Sequence, residues 1–211
     1  MKITVSTFYD PTFLPLAEKT IPNHDAYCFK HGYIYKRLEL QNPVKGNGYE
    51  KLCKFGLVKA KFDLDTLTKM ADGDYLFTLG VDAIITDMDK KLETLIEEYK
   101  DFLIVVGSDR AGINSSQQLI RNCPTARKYY LKMVAWILEG GEHDQAYLHS
   151  HPENFMIETN QKCMNSYDCE TRLEPPGTPG DWSEGDFLVH LAGMTLEQRM
   201  GVVNKWLGRV K

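Results

Sequence analysis

Two residues of this chain combine side-chain type and surroundings in the way that metal or donor binding requires. Asp82 follows the apolar run Tyr75-Leu-Phe-Thr-Leu79 and is followed at once by Ala83-Ile-Ile-Thr86, which sets the acid at the end of a buried strand. A carboxylate at that boundary costs several kcal/mol unless a cation or hydrogen-bond donors compensate it. In open α/β sheets that edge is also where ligands collect. The other reading of Asp82 is a simple turn cap. Far along the chain, Asp186-Phe-Leu-Val-His190-Leu-Ala-Gly193 places a histidine in a second strand, Phe187 to Leu191, that closes on a glycine. Asp82 and His190 read as partners in one site.

The elements that must position them alternate between strand-like and helical patterns, the signature of a mostly parallel sheet covered by helices. Strands are expected at Ile3 to Phe8, Tyr33 to Leu40, Tyr75 to Leu79, Ala83 to Thr86 and Phe102 to Val106. Helices are expected at Pro15 to Lys30, Lys51 to Met70 and Lys90 to Tyr99, and from Pro124 to about Glu139, where Gly140-Gly141 ends the run. Asn42 to Gly48 reads as a loop. Glu174 to Gly185, rich in proline and glycine, reads either as a flap over the site or as a plain surface connection. Thr195-Leu-Glu-Gln198 is a capping box that opens a last helix, and Arg199, Lys205, Arg209 and Lys211 make that end basic.

The Asp82 and His190 segments together resemble the GT-A nucleotide-sugar glycosyltransferases, in which a strand-end Asp-x-Asp and a distant His-x-x-Gly hold a divalent cation against the donor diphosphate. More closely they resemble the galactosyl-, xylosyl- and mannosyltransferases of glycosyltransferase family thirty-four. Further matches run in order: Asn23 to Tyr33 with its His31-Gly-Tyr33, Lys54 to Lys59, Ile113 to Asn122, and His143-Asp-Gln-Ala-Tyr147. The metal strand departs from the family pattern, reading Gly80-Val-Asp82-Ala83 with the first acid absent.

The resemblance implies a single Rossmann-like GT-A domain over 1–211, with a nucleotide-binding half at 1–107 and an acceptor and catalytic half at 108–211. It implies a retaining enzyme that moves a sugar from a nucleotide sugar, UDP-linked by resemblance, to the hydroxyl of a glycan or other acceptor. Asp82 and His190 would hold Mn²⁺ or Mg²⁺ with the diphosphate oxygens. Lys54 would face the phosphates unless it is a solvated helix lysine, with Lys59 on the exposed side of the same helix. The Gly193 amide would approach them where no Cβ intervenes. Val5, Ser6 and Thr7 would meet the nucleoside, although strand-end turn chemistry also accounts for the last two. Asp109, Asn114 and Ser115 would bond sugar hydroxyls. Asp144 and Gln145 would lie beneath the anomeric carbon, Asp144 having a helix cap as its other reading.

Composition narrows the classes. A chain of 211 residues, 43% apolar and 26% charged, supports one well-cored globular domain. A net charge of −4 offers no general attraction to nucleic acid, and no apolar run is long enough for a membrane span. Five cysteines without C-x-x-C spacing point to reduced thiols in a cytoplasm. With no leader or anchor apparent at the amino terminus, a soluble bacterial or viral protein, or a trimmed form of a longer anchored one, is expected. His149 and His151, two positions apart on a helix, would point away from each other, and His24 and His31 read as structural. Two other functions fit the same residues. Arg121, Arg127, Lys128 and Lys132 could contact a DNA acceptor, as in phage enzymes that glycosylate hydroxymethylated bases. The missing first acid also suits a non-catalytic module that binds a sugar nucleotide or glycan.

Overall fold

The computed structural model describes residues 1–109, 112–173 and 178–211. The β-branched and aromatic opening run forms strand β1 (Ile3–Tyr9), buried along almost its whole length. A 3₁₀ turn at Pro11–Phe13 follows, capped by Asp10, whose carboxylate accepts the Thr12 amide at 2.9 Å. Helix α1 (Leu14–His31) stops at Gly32, whose φ of 71° is a left-handed conformation that glycine alone adopts cheaply. The Tyr33 amide then donates to Cys28 at 2.9 Å and the chain enters β2 (Ile34–Glu39), parallel to β1.

The expected alternation continues through α2 (Gly48–Thr68), β3 (Tyr75–Thr78), β4 (Ala83–Ile85), α3 (Leu92–Glu98) and β5 (Ile104–Asp109). The next element, β6 (Gly112–Arg121), is a long strand over a stretch that shows no strand pattern in sequence, because its Asn-Ser-Ser-Gln-Gln core lacks the β-branched and aromatic residues that signal one. Then come α4 (Pro124–Leu138), α5 (Asp144–Ser150), β7 (Met156–Glu158), α6 (Gln161–Met164), β8 (Ser166–Tyr167), β9 (Leu188–His190) and α7 (Leu196–Leu207).

The central sheet runs β2-β1-β3-β6-β5-β7, and only β6 points against its neighbours. Alternation sends successive residues to opposite faces, so Phe77 and Leu119 join Val5, Tyr27 and Leu92 on one side, while Leu76 and Ile120 join Ala60, Tyr130 and Met133 on the other. A sheet buried on both faces by helices is the α/β architecture the sequence implies. Because β6 lies between β3 and β5, the 1–107 and 108–211 halves share one sheet.

A second sheet, β4-β9-β8, sets up the site. Its strands β4 and β9 are antiparallel with Ala83 opposite His190, and the Leu191 amide donates to the Asp82 carbonyl at 2.8 Å. This register carries Asp82 to His190. Helix α7 covers the sheet through Val203 and Trp206, which pack on Ile84, Val189 and Leu191. Among the described residues no helix is long and apolar enough to cross a membrane. Residues 174–177 of the expected loop lie outside those described.

Candidate donor site

A cavity of about 420 Å³ opens where β1, β3 and β6 meet α2, α5 and α7. Ser6, Asp82, Ser115, Asp144 and Gln145 all line it, although they come from four different stretches of chain. Phe8, Phe13 and Phe55 form an apolar wall on one side, with ring centroids 4.6 Å apart for Phe8 and Phe55. Of the expected nucleoside trio, only Ser6 reaches the cavity. Val5 and Thr7 project from the opposite face of β1, where Val5 joins the core and the Thr7 hydroxyl meets His24 at 3.4 Å. Strand alternation makes that split unavoidable.

Asp82 is held at both oxygens. Oδ1 lies 3.2 Å from His190 Nε2, and Oδ2 accepts from Arg199 Nη2 at 2.8 Å. Burial alone would raise this carboxyl, but His190 and Arg199 outweigh it and hold it well below the usual carboxylate range. His190 is itself oriented by Asn165, at the junction between helix α6 and strand β8. The Asn165 amide donates to the Ser108 carbonyl at 2.8 Å, which leaves its Oδ1 to accept from His190 Nδ1 at 2.6 Å. Arg199 arrives through the capping box, in which the Thr195 hydroxyl accepts the Gln198 amide and Gln198 reaches back to Thr195. The cap fixes where α7 starts, and therefore the first inward-facing long side chain of its opening turn.

Lys54 is placed differently from the sequence expectation. Its side chain is 49% exposed, pairs with Glu50 at 2.5 Å and does not line the cavity. The lysine of α2 that does so is Lys59, 11% exposed, with Nζ 2.7 Å from Asp63 Oδ2 and 3.7 Å from Asp144 Oδ2. Five helix positions separate the two lysines, about 140° around the axis, so one helix cannot bury both. Burial would lower the Lys59 ammonium, yet Asp63 and Asp144 outweigh it and raise it. Asp144 is buried, and its Oδ2 accepts no hydrogen bond among the described residues. Gln145 is steadied by the Ser115 amide, which donates to its Oε1 at 3.4 Å.

Asn114 and Asp109 stand beside the cavity without lining it. The Asn114 amide and the Tyr167 hydroxyl both donate to Asp109 Oδ2, at 2.9 and 3.0 Å. Gly193 has a φ of 71°, and a Cβ there would stand 3.6 Å from Arg172, an ordinary contact; the backbone turn is what demands glycine. Arg127, proposed for DNA contact, is paired with Asp72 at 2.6 Å.

Sequence reading missed Lys59, Asp63 and Arg199. One signal was available in Gly56, a glycine inside a helical pattern that would otherwise cost about 1 kcal/mol. A Cβ at Gly56 would come within 2.8 Å of Asp144 Oδ1, so the glycine admits α5 against α2. No sequence signal singles out Arg199 among the basic residues of α7.

No model of a known family matches the sequence, and no curated protein does. Solved structures do match. A glycosyltransferase involved in glycosylation of the major capsid of PBCV-1 superposes with a TM-score of 0.76 at 14% identity, covering 97% of this chain and 100% of that one. The fold is that of a glycosyltransferase. The galactosyltransferase LgtC, solved with donor and acceptor sugar analogs, matches with a TM-score of 0.61 at 11% identity over 98% of this chain and all of LgtC. GlyE of Streptococcus pneumoniae TIGR4 matches with 0.55 at 12% identity, over 99% of this chain and 64% of its own. The mixed α/β, GT-A-like architecture expected from the motifs is therefore the one the chain adopts.

Proposed function

We propose that this protein is a retaining glycosyltransferase that takes a sugar from a nucleotide sugar, UDP-linked by resemblance, and transfers it to an acceptor hydroxyl. The observation that carries the reading is the convergence of Ser6, Asp82, Ser115, Asp144 and Gln145 on one cavity of that fold. A nucleotide sugar brings its own leaving group, so the protein has to orient the donor and stabilise charge as the glycosidic bond breaks. Asp144 suits the sugar side. Its carboxylate lines the cavity, with Lys59 Nζ 3.7 Å from Oδ2 to hold it in place. Gln145, fixed by Ser115, lines the cavity next to Asp144, where this reading puts the centre that becomes oxocarbenium-like. The Phe8, Phe13 and Phe55 wall suits the flat face of a nucleobase.

The Mn²⁺ or Mg²⁺ implied by resemblance meets a poor donor set. Hard divalent cations are held by carboxylate and carbonyl oxygens. Here the one strand-end carboxylate is engaged at both oxygens by His190 and Arg199. No group of three or more His, Cys, Asp or Glu side chains suited to a metal is present among the described residues. A Cβ on Gly80, where the family carries its first acid, would lie 2.8 Å from Asp82 Oδ1.

Thermal-shift screening of nucleotide sugars, followed by chromatography of the released nucleotide with and without acceptor glycans, tests the reading. Stabilisation by at least one nucleotide sugar together with its turnover is the expected result. Failure of every nucleotide sugar to bind would sink it. Binding without any turnover or hydrolysis would instead establish the non-catalytic module, which the tightly engaged Asp82 carboxylate also suits.

A further inference from the structure

Charge gathers on the diphosphate as a nucleotide sugar gives up its sugar, and some cation must meet it. Two lysine or arginine side chains line the cavity among the described residues, Lys59 and Arg199. Lys59 is committed to two carboxylates, Asp63 and Asp144. Arg199 is not. Its guanidinium spends Nε on the Leu191 carbonyl at 3.0 Å and Nη2 on Asp82 at 2.8 Å. A guanidinium has five N–H donors in a planar fork that matches phosphate oxygens, so donors remain after both contacts. The group is also fixed before any ligand arrives. Its plane lies over Phe13, 5.4 Å from the ring centroid, and it follows directly on the capping box of α7.

The same geometry opposes a divalent ion. Such an ion bound to Asp82 would have to share that carboxylate with a guanidinium and stand beside a second positive charge. Gly80 offers no further carboxylate. We propose that Arg199 does the work a metal would do here: it contacts the donor diphosphate, with Asp82 and His190 serving to aim it, and donor binding needs no divalent cation. This rests on the glycosyltransferase reading above.

The test is calorimetric titration of the protein with UDP, GDP and ADP in EDTA, then in Mn²⁺ and in Mg²⁺. At least one diphosphate should bind in EDTA, with a Kd that changes by less than about twofold when metal is added. Arg199→Gln should weaken that binding by about tenfold or more, with Arg199→Lys retaining part of it because it keeps the charge and loses the fork. Circular dichroism identifies a variant that has failed to fold, and in that case the wild-type comparison alone decides. Binding that appears only with Mn²⁺ or Mg²⁺ overturns the inference and leaves the glycosyltransferase reading standing. Undiminished binding by folded Arg199→Gln overturns it as well. Absence of binding under every condition overturns both.

Discussion

Lys59 on α2 and Asp144 on α5 face each other across 3.7 Å at the floor of the cavity, while Asp63 holds the same ammonium at 2.7 Å. The pair joins two helices that touch nowhere in sequence, and it places a buried positive charge beneath the residue assigned to the reacting sugar. Gly56 allows the approach by leaving no Cβ in the way.

Lys59→Ala therefore removes one partner from a buried set and leaves two carboxylates uncompensated, which costs about 3–5 kcal/mol. Lys54→Ala, at a half-exposed pair with Glu50, changes stability by less than about 1 kcal/mol and leaves donor binding unaltered. Urea unfolding of the two variants beside wild type measures the difference. Equal effects would show that the lysines are interchangeable and the buried set unimportant.

Asp82 and Arg199 should behave as one unit. Asp82→Ala and Arg199→Ala each strand a partly buried partner, and the double variant should lose less than the sum of the singles, with a coupling of about 1–3 kcal/mol in a double-mutant cycle. Asp82→Ala and His190→Ala should each abolish transfer with the circular dichroism spectrum unchanged. Strict additivity of the stability changes would deny the coupling.

Gln145→Ala should lower kcat more than it raises KM, because the contact it loses matters chiefly in the transition state. On the proposed retaining reading the product should keep the donor's anomeric configuration, which the anomeric proton coupling in NMR reads directly. An inverted product would require a general base, and Asp144 would be the first residue to examine for that role.

Acid should weaken the fold through His24. Burial is the main cause that lowers this imidazole, to about 4, even though the Ala83 carbonyl at 2.8 Å and Asp82 favour its charged form. The unfolded chain takes up a proton near the ordinary histidine value while the native ring stays neutral. Stability is therefore full at neutral pH and declines as pH falls from about 6.5 to about 4, by about 3 kcal/mol in total. Denaturant midpoints measured across that range for wild type and His24→Gln give the check: the variant should be less stable at pH 7 and show a flatter profile. Parallel profiles would assign the acid sensitivity to other groups.

Local pattern was enough to identify most of the elements. Ile3 to Phe8, the helix that ends at Gly32, Pro124 at a helix start and the Thr195 capping box each declare themselves through nearest neighbours, because backbone geometry and capping are local physics. Asp82 and His190 could also be paired from sequence, since each interrupts an apolar strand, and that placement is costly without a partner. Strand β6 escaped because its core carries polar residues in place of β-branched and aromatic ones, and a polar residue such as Gln118 is buried there by a contact from another element, its Oε1 accepting from the Tyr130 hydroxyl of α4. Which lysine of α2 turns inward, which residue of Val5, Ser6 and Thr7 reaches the cavity, and which arginine meets Asp82 are decided by rotation about a helix, by the face of a strand and by the docking of α7. Those choices depend on long-range packing, and a single chain read in order contains the candidates for each contact but not the distances that select among them.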